Sequence, residues 1–275
     1  MKISKSVHLI RKDFYVTEEV KRYVNIYLIT GDNCYLIDTG VAGSEVLIAE
    51  YLESIGRKLT DIKGVFLTHA HPDHIGAAAE IKRQTGCKIY APIQGLDWIE
   101  NIQRQFDERP IPNFFKLVSE SVDVDCPLGG GEIVELEDGI SVKAVFTPGH
   151  SHDSMSYVLN DEVVFIGDAI PVDGDLPIFI DFKKSIESID VIENLEEVEL
   201  YCPAWDEVYD RKALCEVADR SRSMLYKLRK IVMEVEKEQA EISDEEKVKK
   251  ICQRADMAMF SGNPLFRKSI EACRY

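Results

Sequence analysis

The sequence lacks the features that mark membrane and secreted proteins. Its apolar runs are shorter than the ~18 residues that span a bilayer, and its start, MKISKSVHLIRKDFYV, lacks the apolar core of a signal peptide. The seven cysteines are scattered without C-x-x-C spacing, which argues against a disulfide framework and a thiolate zinc site. We therefore expect a cytoplasmic protein with reduced cysteines.

Positive charge is also scarce in this chain. It has 33 lysines and arginines against 49 aspartates and glutamates, which gives a net charge of -16. Such a surface repels the phosphates of nucleic acids and of anionic lipids. We therefore expect neither a nucleic-acid partner nor a membrane partner.

Glycine and proline are absent between Ala204 and Ser261. Apolar residues recur at helical spacing in this stretch, and Ser243 with Glu246 forms a capping box that would restart a helix after a break near 241–243. We predict a helical C-terminal extension at 210–275 that follows a separate domain at 1–209. The apolar stripe of the extension would either cover that domain or join two subunits into a homodimer, because periodicity does not separate these alternatives.

The rest of the chain alternates short strand-like runs with helical patterns. Helices are predicted at 44–56 and 73–86, where each pattern closes at a glycine. The runs that favour strands are rich in β-branched and aromatic residues and lie at 24–30, 34–40, 64–68, 87–91, 141–149, 155–160 and 162–168. This alternation predicts a mixed α/β domain.

Acidic and imidazole side chains follow four of these runs. Asp38, His69 with His71, His150 and Asp168 each lie at or just past the end of a predicted strand. Open α/β sheets place their functional sites at the carboxyl ends of strands. We therefore expect these side chains to meet in one site.

The segment VFLTHAHPDHIG (65–76) has the densest group of these side chains. His69 and His71 would point the same way from an extended segment, because side chains alternate along a strand. A helix that begins near Asp73 would turn Asp73 and His74 back toward the same edge. Imidazole and carboxylate together suit zinc or iron, so the segment predicts a metal site.

The motif THAHPDH resembles the H-x-H-x-D-H signature of the metallo-beta-lactamase superfamily. LIDTG, TPGHSHDS and FIGD resemble its further motifs, and the resemblance covers roughly residues 20–206. It implies an αβ/βα sandwich of two mixed β-sheets flanked by helices, with metal ions at one edge between the sheets.

The resemblance also implies a role for each site residue. Asp73 or Asp168 would orient the attacking hydroxide, and Asp38 would hydrogen-bond a metal-binding imidazole. The implied metal ligands are His69, His71 and His150 for a first ion, Asp73 and His74 for a second ion, and Asp168 between the two.

The sequence departs from the family pattern at PAWD (203–206). Trp205 stands where members with two metals usually have a last histidine, and no histidine follows His152. Either Asp206 supplies an oxygen ligand, which would favour iron or manganese over zinc, or the second site is weak or empty. We therefore expect one or two divalent ions per chain, of zinc, iron or manganese.

The resemblance is nearest to glyoxalase II and related thioesterases and lactonases. It implies a metal-dependent hydrolase that uses a metal-bound hydroxide on a small-molecule ester, thioester or lactone. Two alternatives stay open: a mononuclear iron oxygenase like the persulfide dioxygenases, and a non-catalytic metal-binding module whose pocket Trp205 and the helical tail close. The segments 93–117 and 171–184 are either lids over the substrate or ordinary packed loops.

Overall fold

A computed structural model describes residues 1–239 and 241–275. Two six-stranded sheets pack face to face between outer layers of helices. The first sheet contains, in order, β1 (Val7–Tyr15), β2 (Lys21–Thr30), β3 (Cys34–Ile37), β4 (Ile62–Phe66), β5 (Lys88–Pro92) and β6 (Cys126–Leu128). The second contains β7 (Ile133–Glu137), β8 (Ile140–Phe146), β9 (Met155–Leu159), β10 (Val163–Gly167), β11 (Leu200–Pro203) and β12 (Tyr209–Asp210). The predicted αβ/βα sandwich is confirmed.

Helices connect the parallel strands. β3 to β6 run parallel, as do β10 and β11, and parallel neighbours need a crossover that a helix usually supplies. The helices in these connections are α1 (Ser44–Ser54), α2 (Pro72–Ile75), α3 (Ala78–Thr85), α4 (Leu96–Ile99), α5 (Ile102–Glu108), α6 (Phe114–Leu117) and α7 (Phe182–Glu193). The carboxyl ends of β3 and β4 therefore lie side by side at one edge.

The facing surfaces of the two sheets form the central core. Tyr27 and Phe66 of the first sheet and Tyr157 and Phe165 of the second are buried in one apolar cluster. A second cluster fills the space between the first sheet and α1 and α3. Burial of this kind is the main favourable term in folding. The packed sheets therefore hold in place the strand ends that the predicted site residues follow.

The C-terminal helices cover the outer face of the second sheet. They are α8 (Arg211–Glu238), α9 (Asp244–Arg254) and α10 (Pro264–Ala272). Leu225 and Val232 of α8 and Phe266 of α10 share one buried cluster with Val164 and Tyr201 of the sheet. The predicted helical region is confirmed, and the capping box at Ser243 is present. The boundary at 209/210 and the homodimer stay predictions.

The predicted helix at 73–86 is two helices, α2 and α3. A Cβ atom at Gly76 would lie 2.3 Å from the carbonyl oxygen of Leu117 and 2.5 Å from the backbone nitrogen of Ala42. The Gly76 backbone also donates to the carbonyl of Gly40 at 2.8 Å. The helix is interrupted here because neighbouring loops pack against its backbone.

Two further findings bear on the sequence predictions. Each of the seven cysteines is free. Among the described residues, the helices are all too short or too polar to cross a membrane.

Candidate metal centre

Three histidine rings meet where β4 ends. His69 and His71 lie in the loop between β4 and α2, and His150 follows β8. The Nε2 atoms of His69 and His150 lie 2.9 and 3.0 Å from Nδ1 of His71. Metal–nitrogen distances of about 2.0 Å place the nitrogens of neighbouring ligands roughly 3 Å apart. These three buried nitrogens therefore fit one metal ion.

The ring of His150 is oriented by the backbone. Its Nδ1 lies 2.8 Å from the carbonyl oxygen of Ile178, which can only accept a hydrogen bond. This contact places the proton on Nδ1 and leaves the lone pair of Nε2 directed at the cluster.

A second group consists of His69, His74 and Asp168. Nε2 of His74 lies 3.3 Å from Oδ1 of Asp168 and 3.6 Å from Oδ2 of Asp73. Both His74 Nε2 and Asp168 Oδ1 are buried without a hydrogen-bond partner among the described residues. Unpaired buried polar atoms are rare and need a partner, and a cation would satisfy both.

Asp38 fixes the orientation of His74 from the other side. Its Oδ2 lies 2.8 Å from Nδ1 of His74, and its two oxygens also accept the backbone and hydroxyl hydrogens of Thr68 at 2.7 and 2.8 Å. With the proton on Nδ1, His74 directs Nε2 at Asp168. This is the contact that the resemblance implies for Asp38.

The surroundings set the charge of the cluster. Burial lowers the pKa of His69, His71 and His150, which favours the neutral form that binds metal. Burial opposes a charge on His74, but the carboxylates of Asp168, Asp38 and Asp73 outweigh it and raise the pKa of His74 well above its usual value. The centre therefore favours positive charge beside Asp168, which a metal ion would supply.

A cavity of about 470 Å³ opens beside the cluster. Its polar wall includes His71, Asp73, His150 and Asp168, and Arg22, Arg109 and Trp205 line it as well. The segments predicted as lids both contribute, with Ile111 and Leu117 from one and Ile170, Leu176 and Ile178 from beside or within the other. This volume lies in the range of small-molecule sites, about 300–1,000 Å³.

The family model that matches this sequence is that of the metallo-beta-lactamase superfamily, over residues 20–205. The chain belongs to the metallo-beta-lactamase superfamily. A protein named probable metallo-hydrolase, from Methanocaldococcus jannaschii, is 29% identical over 195 residues, which is 69% of this chain and 90% of that protein.

Other relatives are named hydroxyacylglutathione hydrolase. The protein from Bradyrhizobium is 32% identical over 45% of this chain and 38% of its own length. The protein from Nitrobacter hamburgensis is 31% identical over 60% of this chain and 55% of its own length. The matched region thus spans only about half, or less, of these hydroxyacylglutathione hydrolases.

Solved structures of the superfamily show the same fold. A metallo-beta-lactamase family protein from Thermus thermophilus superimposes with a TM-score of 0.73 at 18% identity, over 98% of this chain and 93% of that one. An archaeal superfamily protein from Sulfolobus tokodaii gives 0.65 at 20% identity, over 99% of both chains. These similarities include the C-terminal helices.

Trp205 stands in the place of the last histidine of the superfamily pattern. The structure does not bring Asp206 to the cluster. The indole Nε1 of Trp205 donates to Oδ2 of Asp168 at 3.0 Å. The carboxylate of Asp206 instead accepts the backbone hydrogen of Glu207 at 2.8 Å and the hydroxyl of Tyr209 at 2.6 Å. Asp206 is turned away because the next turn of the chain satisfies its carboxylate. The ligand roles of the other site residues stay predictions.

Sequence reasoning missed three residues around the site, and two of them, Asp153 and Gln105, hydrogen-bond the loop 67–71. Oδ2 of Asp153 accepts the backbone hydrogen of Ala70 at 2.8 Å, and the Gln105 amide donates to the carbonyl of Ala70 at 2.6 Å. Arg109, one turn beyond Gln105, is 8% exposed, and burial lowers its pKa to about 10, so it stays charged at neutral pH. The sequence pointed to the surroundings of two of these residues, because Asp153 lies in the TPGHSHDS motif and Arg109 lies in a segment predicted as a lid.

Proposed function

We propose that the chain is a metal-dependent hydrolase of a small-molecule ester, thioester or lactone. The observation that carries this proposal is the convergence of four buried imidazoles and Asp168 beside a cavity of about 470 Å³, whose wall includes His71, His150 and Asp168. An ion held by His69, His71 and His150 would lower the pKa of a coordinated water and polarise a carbonyl. The superfamily membership supports the same reaction class.

The chain's own residues position the reactants. Asp73 and Asp168 both line the cavity, so their carboxylate oxygens can accept hydrogen bonds from the attacking water and orient it. Burial would raise the pKa of Asp168, but His74 and His150 hold it well below its usual value. Asp168 thus stays an acceptor over the neutral range.

The apolar walls exclude bulk water from the reacting groups. Phe14 and Val16 line the cavity from the first sheet and the turn that follows β1, and Phe260 and Leu265 line it from the C-terminal region. A dry site strengthens each electrostatic contact within it. The relatives named hydroxyacylglutathione hydrolase support a hydrolase, while the acyl substrate of this chain is open.

The test pairs metal analysis with a substrate panel. Metal-loaded protein is assayed against thioesters, lactones and carboxylic esters, together with His150→Ala and the control His152→Ala. His152 is exposed and contacts the carbonyl of Gln94. We expect hydrolysis of at least one class, a loss of metal and of at least about 100-fold in activity for H150A, and little change for H152A. Metal-loaded protein that hydrolyses none of them would contradict the proposal.

A second candidate is a mononuclear iron oxygenase of the persulfide-dioxygenase type. Trp205 in place of the last histidine favours it, and the carboxylate of Asp206 is hydrogen-bonded to Glu207 and Tyr209. Oxygen uptake by iron-loaded protein with a persulfide, at one iron per chain, would support this candidate. Hydrolysis without oxygen uptake would exclude it in favour of the hydrolase.

A further inference from the structure

The side chain of Arg109 is buried, and its guanidinium has no partner among the described residues. It makes no hydrogen bond and no ion pair with the side chains or backbone of residues 1–239 and 241–275, although Arg109 is only 8% exposed. It lines the same cavity as Asp73 and Asp168. A buried charge without a partner lowers the stability of the fold, so a negatively charged ligand would stabilise this arginine.

Arg22 also lines the cavity, but unlike Arg109 it has partners for its guanidinium. Its Nη1 donates to Oδ1 of Asp175 at 2.9 Å, its Nη2 bonds the other oxygen, and its guanidinium lies 4.7 Å from the ring centre of Trp205. The charge of Arg22 is therefore already balanced. Arg109 faces the same space with its five donors unused.

Two of the three carboxylates that attract Arg109, those of Asp153 and Asp168, are engaged elsewhere. Asp153 accepts hydrogen bonds from the Ala70 backbone and the Ser151 hydroxyl, and Asp168 accepts from Trp205 and faces the histidines. These carboxylates and Asp73 attract Arg109, but all lie beyond ion-pair distance. An anion that enters the cavity could therefore bind Arg109 without displacing a protein contact.

The backbone holds Arg109 close to the histidine loop. Its backbone nitrogen donates to the carbonyl of Gln105 at 2.8 Å, where α5 ends. The side chain of Gln105 in turn binds Ala70, between His69 and His71. Pro110 restricts the chain that follows. The guanidinium is thus placed in advance relative to the metal centre.

We propose that Arg109 binds a carboxylate group of the substrate, so that the enzyme acts on small esters, thioesters or lactones that carry a free carboxylate on an apolar body. The planar fork of a guanidinium matches a carboxylate with two parallel hydrogen bonds. The apolar walls suit the remainder of the molecule. This inference rests on the proposed hydrolase function.

The kinetic test uses a matched pair of substrates, a succinyl thioester with a free carboxylate and its methyl ester. Arg109→Gln should raise KM for the acid about 10- to 100-fold, as expected for losing a charged hydrogen bond, and leave KM for the methyl ester unchanged. Arg109→Lys should retain part of the preference. The control is Arg104→Gln on α5, the helix that ends just before Arg109, because Arg104 pairs on the surface with Asp97 and Glu108.

A binding test separates this inference from the hydrolase proposal. Calorimetry compares 4-phenylbutyrate with its amide on metal-loaded wild type, R109Q and R109K, whose metal content is measured. We expect wild type to prefer the acid at least tenfold and R109Q to lose that preference. Equal weakening of both ligands, or unchanged binding of the acid to R109Q, would overturn the inference. If the preference is present but no ester is hydrolysed, the carboxylate site stands and the proposed function fails.

Discussion

Asp38 occupies a backbone conformation that few residues other than glycine adopt, with φ at 59°. Aspartate tolerates this conformation better than most side chains. It brings both carboxylate oxygens under the site, where they accept hydrogens from Thr68 and His74. Asp38 is thus a positioning residue for His74, and its backbone strain is balanced by three hydrogen bonds.

The first prediction concerns Asp38→Asn. Asparagine keeps the size and tolerates the left-handed backbone, but its amide cannot accept hydrogens at both positions. We expect metal affinity to fall about 10- to 100-fold, the usual effect of losing such a contact, as measured by competition with a chelator. The matched control is Asp97→Asn, on the surface. Unchanged affinity in D38N would show that Asp38 does not orient a ligand.

The second prediction concerns Trp205. Trp205→His would offer an imidazole beside Asp168, and we expect it to raise the number of divalent ions bound per chain, as measured by elemental analysis. Trp205→Phe keeps an aromatic ring but removes the donor to Asp168 without adding a ligand, so it should not raise that number. Asp206→Ala should leave it unchanged, because Tyr209 and Glu207 hold its carboxylate. A lower metal content in D206A would make Asp206 a ligand after all.

At the scale of elements, sequence predicts best where burial and periodicity agree. The runs at 34–40, 64–68 and 162–168 formed β3, β4 and β10, since their buried residues leave little alternative to a strand. The strand β7, with the sequence IVELE, was not predicted. Its residues are all exposed or half-buried, so no run of buried residues marks it as a strand. The segment of Arg109 was predicted as a lid, but Arg109 itself was missed because the position of its side chain depends on how the end of α5 packs near the histidine loop.

The third prediction concerns the break between α2 and α3. A side chain at Gly76 would collide with the backbone of Leu117 and Ala42, and backbone cannot move aside as a flexible side chain does. We expect Gly76→Ala to destabilise the protein by about 1–3 kcal/mol and to weaken metal binding, because α2 carries Asp73 and His74. Thermal unfolding measures the first effect. The control is Gly262→Ala, where the added Cβ would meet no atom within 4 Å; equal melting temperatures for the two variants would contradict the packing argument.

At the scale of the whole molecule, the cavity is assembled from distant parts of the chain. Phe14, Leu117 and Ile170 belong to the two sheets and their connections, while Phe260 and Leu265 come from the C-terminal helical region. The Ser269 hydroxyl also accepts the backbone hydrogen of Phe179, which ties α10 to a segment predicted as a lid. The C-terminal helices thus contribute to the site as well as covering the sheet, which composition and periodicity did not reveal.

The fourth prediction follows from that shared wall. Leu265 is half-buried and lines the cavity, so Leu265→Ala should remove apolar contact with a bound substrate and leave the metal ligands untouched. Losing about two buried methylene groups corresponds to a rise in KM of roughly 10-fold, with metal content unchanged. The control Met233→Ala alters an exposed side chain on α8 and should change neither quantity. If L265A and M233A gave the same KM, the substrate would not reach the C-terminal wall, and the helices would serve only to cover the second sheet.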